Sequence, residues 1–212
     1  MHTALETWPD ISYAVPAFSR YNSCIFTSPM TAAQWLLHYL NATVDFRLHF
    51  NTNVNWNGDY SIIRFADSNW ASDSTDCMSH GGLVFPMGHN GGAISWQSRK
   101  QDLITLKTVQ AKFISCSEGS CEVRRSLELE TDIYRSLSDT SPLLINCGNQ
   151  STLRYITTRV IKARMKHINM YYPNCRDVHT HTILDYSYVN TNDDVANNLT
   201  NPLNKTKNTQ LR

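Results

Sequence analysis

Charge is scarce in these 212 residues: Lys, Arg, Asp and Glu together make up 17%, where a globular domain usually carries ~25%. The two signs nearly cancel, leaving a formal net charge of +1. No global field therefore draws the chain to nucleic acid, and any such contact needs a local basic patch. Long apolar runs are missing as well. None approaches the ~20 residues that a membrane-spanning helix needs, so no membrane partner is expected. The first ten residues, MHTALETWPD, hold neither a basic region nor an apolar core. That speaks against a secretory leader and makes an intracellular location, cytoplasm or nucleus, the expectation. Six cysteines are scattered without a CxxC pair, so no zinc-ligand spacing appears and reduced, partly buried thiols are expected.

What is present is enough for a core. Hydrophobic residues make up 41% and aromatics 10% of the chain, ordinary values for a folded protein of one or two domains. The stretch that organises the rest is residues 60–73, YSIIRFADSNWASD. It reads as a β-branched and aromatic strand that ends on a carboxylate, Asp67. Two further strand-like runs follow at residues 81–88 (GGLVFPMG) and 92–100 (GAISWQSRK). Closely spaced and joined by turn residues, the three form an antiparallel meander in the simplest reading. An acid at a strand end either caps a turn or begins a metal-dependent phosphoryl-transfer site, and its partners decide which.

Before that stretch, Ile11, Ala14, Val15 and Phe18 share one helical face over residues 9–21, with Pro16 inside the pattern as a kink. Residues 31–40 repeat the spacing with Ala33, Leu36, Leu37 and Leu40, which makes a helical hairpin. The Asn-rich residues 51–59 read as a linker. After the meander, residues 107–133 form the longest helical candidate, with Val109, Phe113, Cys116, Val123 and Leu127 near one face and Gly119 weakening its middle. The wholly apolar run PLLINC, residues 142–147, reads as a strand covered on both faces. A short helix at 149–157, a basic helix carrying Lys162, Arg164, Lys166 and His167, a strand at 182–189 and a closing helix at 193–200 complete the order. Antiparallel strands first, then strands alternating with helices, indicate an α/β fold with a mixed five-stranded sheet and flanking helices.

The words in this order resemble the ribonuclease H domain at the C-terminal end of copia-type retrotransposon Pol polyproteins. FADSNWASD is similar to the family's SDADWAGD, and GAISWQSRKQ to its third strand. Residues 147–150 resemble CDNQ, residues 163–169 resemble ARTKHID, and residues 192–203 resemble EDQLADIFTKPL. Residues 9–50 look like the stretch that follows the polymerase palm. The resemblance divides the chain into a helical remnant (1–50), a linker (51–59), a ribonuclease H-like domain (60–203) and a polar tail (204–212). It also implies an enzyme that cuts the RNA strand of an RNA–DNA hybrid with two Mg²⁺ ions held by four carboxylates, reading the hybrid by shape and 2′-hydroxyls.

Carried over position by position, one of those four acids is retained, Asp67. Lys112 stands in place of the second, Gly148 in place of the third and Asn197 in place of the fourth. Two divalent ions beside one carboxylate and an ammonium group would face uncompensated positive charge, so no metal is expected here. Lys112 is expected to take the metal's place and pair with Asp67, because an unpaired buried charge is costly; the alternative is that its long stem swings the ammonium out to solvent. Glu118, Asp193 and Asp194 are the nearby acids. Glu118 should point to another helix face, and the two aspartates should cap a helix start. Three readings remain: a catalytically inactive polyprotein fragment, which the lost acids favour; a module that still grips an RNA–DNA hybrid weakly through Arg99, Lys100, Lys107, Lys162, Arg164 and Lys166; and a nuclease with rearranged ligands.

Overall fold

The computed structural model describes residues 2–21, 27–50, 62–73, 75–88, 91–134, 143–158, 168 and 184–203. Among them, five strands form one mixed sheet: β1 (Arg64–Asn69), β2 (His80–Pro86), β3 (Ala93–Lys100), β4 (Leu143–Cys147) and β5 (Leu184–Tyr188), in the spatial order β3-β2-β1-β4-β5. The first three strands run antiparallel, with Asp67 opposite Gly82 and Gly82 opposite Ser98. β4 lies parallel to β1, and β5 parallel to β4. The expected meander, the later strands alternating with helices and the mixed five-stranded α/β sheet are all present.

The helices are α1 (His2–Glu6), α2 (Ala14–Ser19), α3 (Thr27–Ala42), α4 (Thr108–Tyr134) and α5 (Gln150–Thr157), with short 3₁₀ helices at Pro9–Ile11 and Val195–Leu199. The sheet places alternate residues on opposite faces. Ala66, Leu83 and Phe85 pack with Phe113, Ile114, Cys116 and Val123 of α4. Phe65 and Val84 pack instead with Ala196 and Leu199 of the closing 3₁₀ helix. Gly119 does not weaken α4 so much as seat it. A Cβ there would come within 3.3 Å of Leu83 Cδ2 and 3.4 Å of Ile145 Cδ1, so the missing side chain lets the helix axis approach the sheet.

Several local expectations change. Residues 9–21 do not form one helix but a 3₁₀ turn, a break at Ser12–Tyr13 and then α2. Pro16 is the third residue of α2, inside the first turn, where its missing N–H has no intrahelical acceptor to lose. β4 is covered on one face only: Ile145 and Cys147 are buried, while Leu144 is 47% exposed. The α3 face holding Leu36 and Leu40 is half-buried, and Leu37 stays 65% exposed. The linker at 51–59, the basic helix with Lys162, Arg164 and Lys166, and the tail at 204–212 lie outside the described residues.

The N-terminal segment is stitched to the sheet. Trp96 Nε1 donates to Ala4 O at 2.8 Å, and Gly92 N to His49 O at 2.7 Å. Arg20 donates to Asp73 Oδ2 at 2.9 Å and lies 3.2 Å from His80 Nδ1. No helix among the described residues is long and apolar enough to cross a membrane.

Candidate functional site

Asp67 sits near the end of β1, two residues past the last described β1–β4 pair, Phe65 with Asn146. β4 there runs out through Cys147 into Gly148, and α5 begins at the Asn149 cap, whose Oδ1 accepts from Thr152 N at 2.9 Å. The ends of two parallel strands thus open onto one place, with α4 above and the closing 3₁₀ helix beside it.

Both oxygens of Asp67 are engaged. The Lys112 ammonium, from the first turns of α4, donates to Oδ1. The Thr200 hydroxyl donates to Oδ2 at 2.7 Å. The pair is shut away from solvent, the side chains being 11% exposed for Lys112 and 6% for Asp67. The pairing expected from the sequence is therefore present. Burial alone would depress the Lys112 ammonium, but the charge and hydrogen bond of Asp67 outweigh it and hold the group above the ordinary lysine range.

Thr200 reaches this position because β2 has no side chain in the way. A Cβ on Gly82 would stand 2.7 Å from Thr200 Cγ2, 2.8 Å from Leu199 Cβ and 3.0 Å from the Ala196 carbonyl. Only glycine lets the closing 3₁₀ helix lie this close to the strand. The signal in the sequence was the Gly-Gly pair inside a strand, and the sequence reading passed over both it and Thr200.

Asp194 has two roles. Its Oδ1 accepts from Ala196 N at 3.2 Å, the expected cap. Its Oδ2 faces the bare Cα of Gly148, where a Cβ would be 3.4 Å away. Burial, and then the negative charge of Asp67, push this carboxyl well above the usual range, with Lys112 opposing them. Cys147 is the other buried group nearby. Its thiol is lowered first by a hydrogen bond with Cys116 and also by the Lys112 charge, against the effect of burial. Asn197, at the fourth acid's position, is buried and accepts from Asn201 Nδ2 at 2.5 Å.

This donor set does not suit a divalent ion pair. The Asp67 carboxylate is filled by a cation and a hydroxyl, and Asp194 is biased toward its neutral form. Among the described residues, no group of three His, Cys, Asp or Glu side chains is placed to hold a metal. Glu118, on another face of α4 as expected, accepts from Arg99 at 2.8 Å. Its carboxyl is raised by burial, against the pull of Arg99.

The basic residues proposed for nucleic acid are partly taken as well. Arg99 is shared between Glu118 and Asp102, and Lys100 is held by Asp73 at 2.6 Å and by Asp76. Lys107 is exposed just before α4. Lys162, Arg164 and Lys166 fall outside the described residues.

No protein-family model matches the chain. It is 30% identical over 199 residues to the retrovirus-related Pol polyprotein from transposon RE2 of Arabidopsis thaliana, a match covering 94% of this chain and 13% of that protein. The corresponding polyprotein from transposon TNT 1-94 of Nicotiana tabacum is 28% identical over 98% of this chain and 15% of its own length. The chain thus spans a small part of the curated relatives that it matches. A secreted RxLR effector protein of Plasmopara viticola is 29% identical over 58% of this chain and 82% of its own. Among solved structures, ribonuclease H1 of Halobacterium salinarum aligns at 13% identity over 66% of this chain and 93% of that one, with a TM-score of 0.45. The foamy viral protease–reverse transcriptase in complex with an RNA/DNA hybrid aligns at 13% identity over 72% and 21%, with a TM-score of 0.49.

Proposed function

We propose that this chain, a homologue over nearly its whole length of copia-type retrovirus-related Pol polyproteins, is a ribonuclease H-like fragment in which metal-dependent cleavage has given way to a structural ion pair. The observation that carries the reading is the Lys112 ammonium seated on Asp67, where the resemblance places metal. A tethered cation there supplies the charge that holds Asp67 in its buried place. It cannot deliver a water to a phosphodiester, as a metal ion does. Family-level positions 148 and 197, now Gly148 and Asn197, add no carboxylate. Core positions set the fold while acids set the chemistry, so the sheet and α4 persist when the acids are gone.

The test is incubation of the purified chain with an end-labelled RNA–DNA hybrid in Mg²⁺ or Mn²⁺. No RNA product above background is expected. Product that disappears in Asp67→Asn would overturn the proposal. Residual hybrid binding is the weaker reading, because Arg99 and Lys100 already answer to carboxylates of the same fold. A gel shift of the same hybrid at low and high salt measures it, since phosphate contacts weaken steeply with salt.

A further inference from the structure

β2 begins at His80, a fully buried imidazole set between the sheet and the N-terminal segment. Its two ring nitrogens have different partners. Nε2 lies 2.9 Å from Ser98 Oγ of β3, and Nδ1 lies 3.2 Å from the guanidinium of Arg20, the residue that follows α2. Tyr13, the residue before α2, packs edge-on against the ring. These bonds fix the tautomer. The Ser98 hydroxyl spends its one hydrogen on the Leu199 carbonyl at 2.7 Å. Its oxygen can then only accept from His80, so Nε2 carries the ring hydrogen and Nδ1 is the bare acceptor of Arg20.

Tyr13 and Arg20 matter to α2 because the helix has little else to hold it. None of its residues is buried, and none in the neighbouring α3 is either. Charge at the contact balances while His80 is neutral. Arg20 and Lys100 share the Asp73 carboxylate, and Lys100 also holds Asp76. The Lys100 bond keeps both carboxyls below their usual range, so they stay ionised in mild acid. Tyr13, raised by burial, stays uncharged. A proton on Nδ1 would remove the acceptor of Arg20 and set an imidazolium against its guanidinium. Burial, then the Arg20 and Lys100 charges, resist that proton down to about pH 4, with Asp73 opposing them.

We propose that His80 is an acid-sensitive latch: proton uptake at Nδ1 breaks the Arg20 contact and releases α2, while the bond from Nε2 to Ser98 survives and keeps β3 and the closing 3₁₀ helix in place. The latch is independent of the lost nuclease chemistry, and neither proposal depends on the other.

The experiment is hydrogen–deuterium exchange of the full chain at pH 7 and pH 4.5, with labelling times scaled to the intrinsic exchange rate at each pH. Protection over residues 14–21 should fall about fiftyfold, the gain in proton binding of a released ring over a latched one across that interval. Residues 195–200 and β2 should keep theirs. His80→Gln, which retains a donor and an acceptor but takes up no proton, should leave residues 14–21 equally protected at both pH values. If that variant does not fold by circular dichroism, Arg20→Gln decides: residues 14–21 should be poorly protected already at pH 7 and change no further in acid. Protection that is flat with pH in the unaltered chain, a fall that persists in either variant, or a loss shared equally by residues 195–200 would overturn the proposal.

Discussion

Replacing Lys112 by methionine keeps the length of the side chain but removes the cation from Asp67. What remains is a carboxylate, 6% exposed, whose one other described partner is the Thr200 hydroxyl. Removing one member of a buried ion pair typically costs about 3–5 kcal/mol, because the other is left desolvated without compensation. Asp67→Asn does the converse and leaves an ammonium among Asp194 and Cys147, at a cost of about 3 kcal/mol on the same grounds. The double variant, Lys112→Met with Asp67→Asn, buries no charge at this point and should recover most of the loss, giving a coupling energy of at least about 2 kcal/mol. Urea unfolding of the four proteins, read as midpoints at constant slope, closes the cycle. Single losses under about 1 kcal/mol with no coupling would match an exposed surface pair and would refute the reasoning. The sign with pH follows from the raised Lys112. A folded value above the unfolded one gives stability that is complete below the unfolded lysine range and lost as pH rises through the folded value. The pair should therefore hold through neutral pH and fail on the alkaline side.

Other outcomes follow from neighbouring contacts. His80 is buried between Tyr13, Arg20 and Ser98, and burial, aided by the charges of Arg20 and Lys100 and opposed by Asp73, lowers it from 6.5 to about 4. Its folded value is depressed, so its contribution is present above pH 6.5 and is lost as pH falls toward 4, by about 3 kcal/mol in all. Urea midpoints at pH 7 and pH 4.5 should converge on those of His80→Gln; parallel curves would contradict this. Gly82→Ala should cost about 2–3 kcal/mol by forcing the closing 3₁₀ helix off β2, measurable as a fall in melting temperature. Trp96→Phe removes the bond to Ala4 O, costs about 1 kcal/mol, and should speed proteolytic cutting within the first twenty residues.

Much of the sheet could be read from local pattern. β1 to β3 lie in short segments carrying Phe65, Val84, Phe85, Ile94 and Trp96 between turn residues, and α4 carries a spaced apolar face, so short-range signals sufficed. Lys112 against Asp67 followed from aligning two distant words. The misreadings arose where long-range packing decides. Leu144 looked like core because its neighbours are apolar, yet its face of β4 carries no covering element among the described residues. Arg99 and Lys100 read as a basic patch because Asp73, Asp76, Asp102 and Glu118, which neutralise them, come from other turns and from α4. Thr200 and Gly82 are 118 positions apart and meet only after the closing helix docks. Ser115 and Ser120 are buried on α4 with partners that local pattern does not show: Ser115 Oγ accepts from Gln101 Nε2 at 3.1 Å, and Ser120 Oγ bonds the Cys116 carbonyl and the Tyr186 hydroxyl.

The contact between Asp194 and Gly148 sets a direction on how this molecule can change. An aspartate introduced at 148 would bring a second carboxyl against Asp194 Oδ2, which lies 3.4 Å from the first atom of any side chain there. Two acids in that buried space cannot both ionise. An acid at 148 is thus not neutral, and its tolerance is conditional on position 194 changing first. A chain carrying Lys112→Glu, Gly148→Asp and Asn197→Asp should stay poor at binding Mg²⁺ until Asp194→Gln is added. Asp194 thus guards the space beside Gly148 against a second acid.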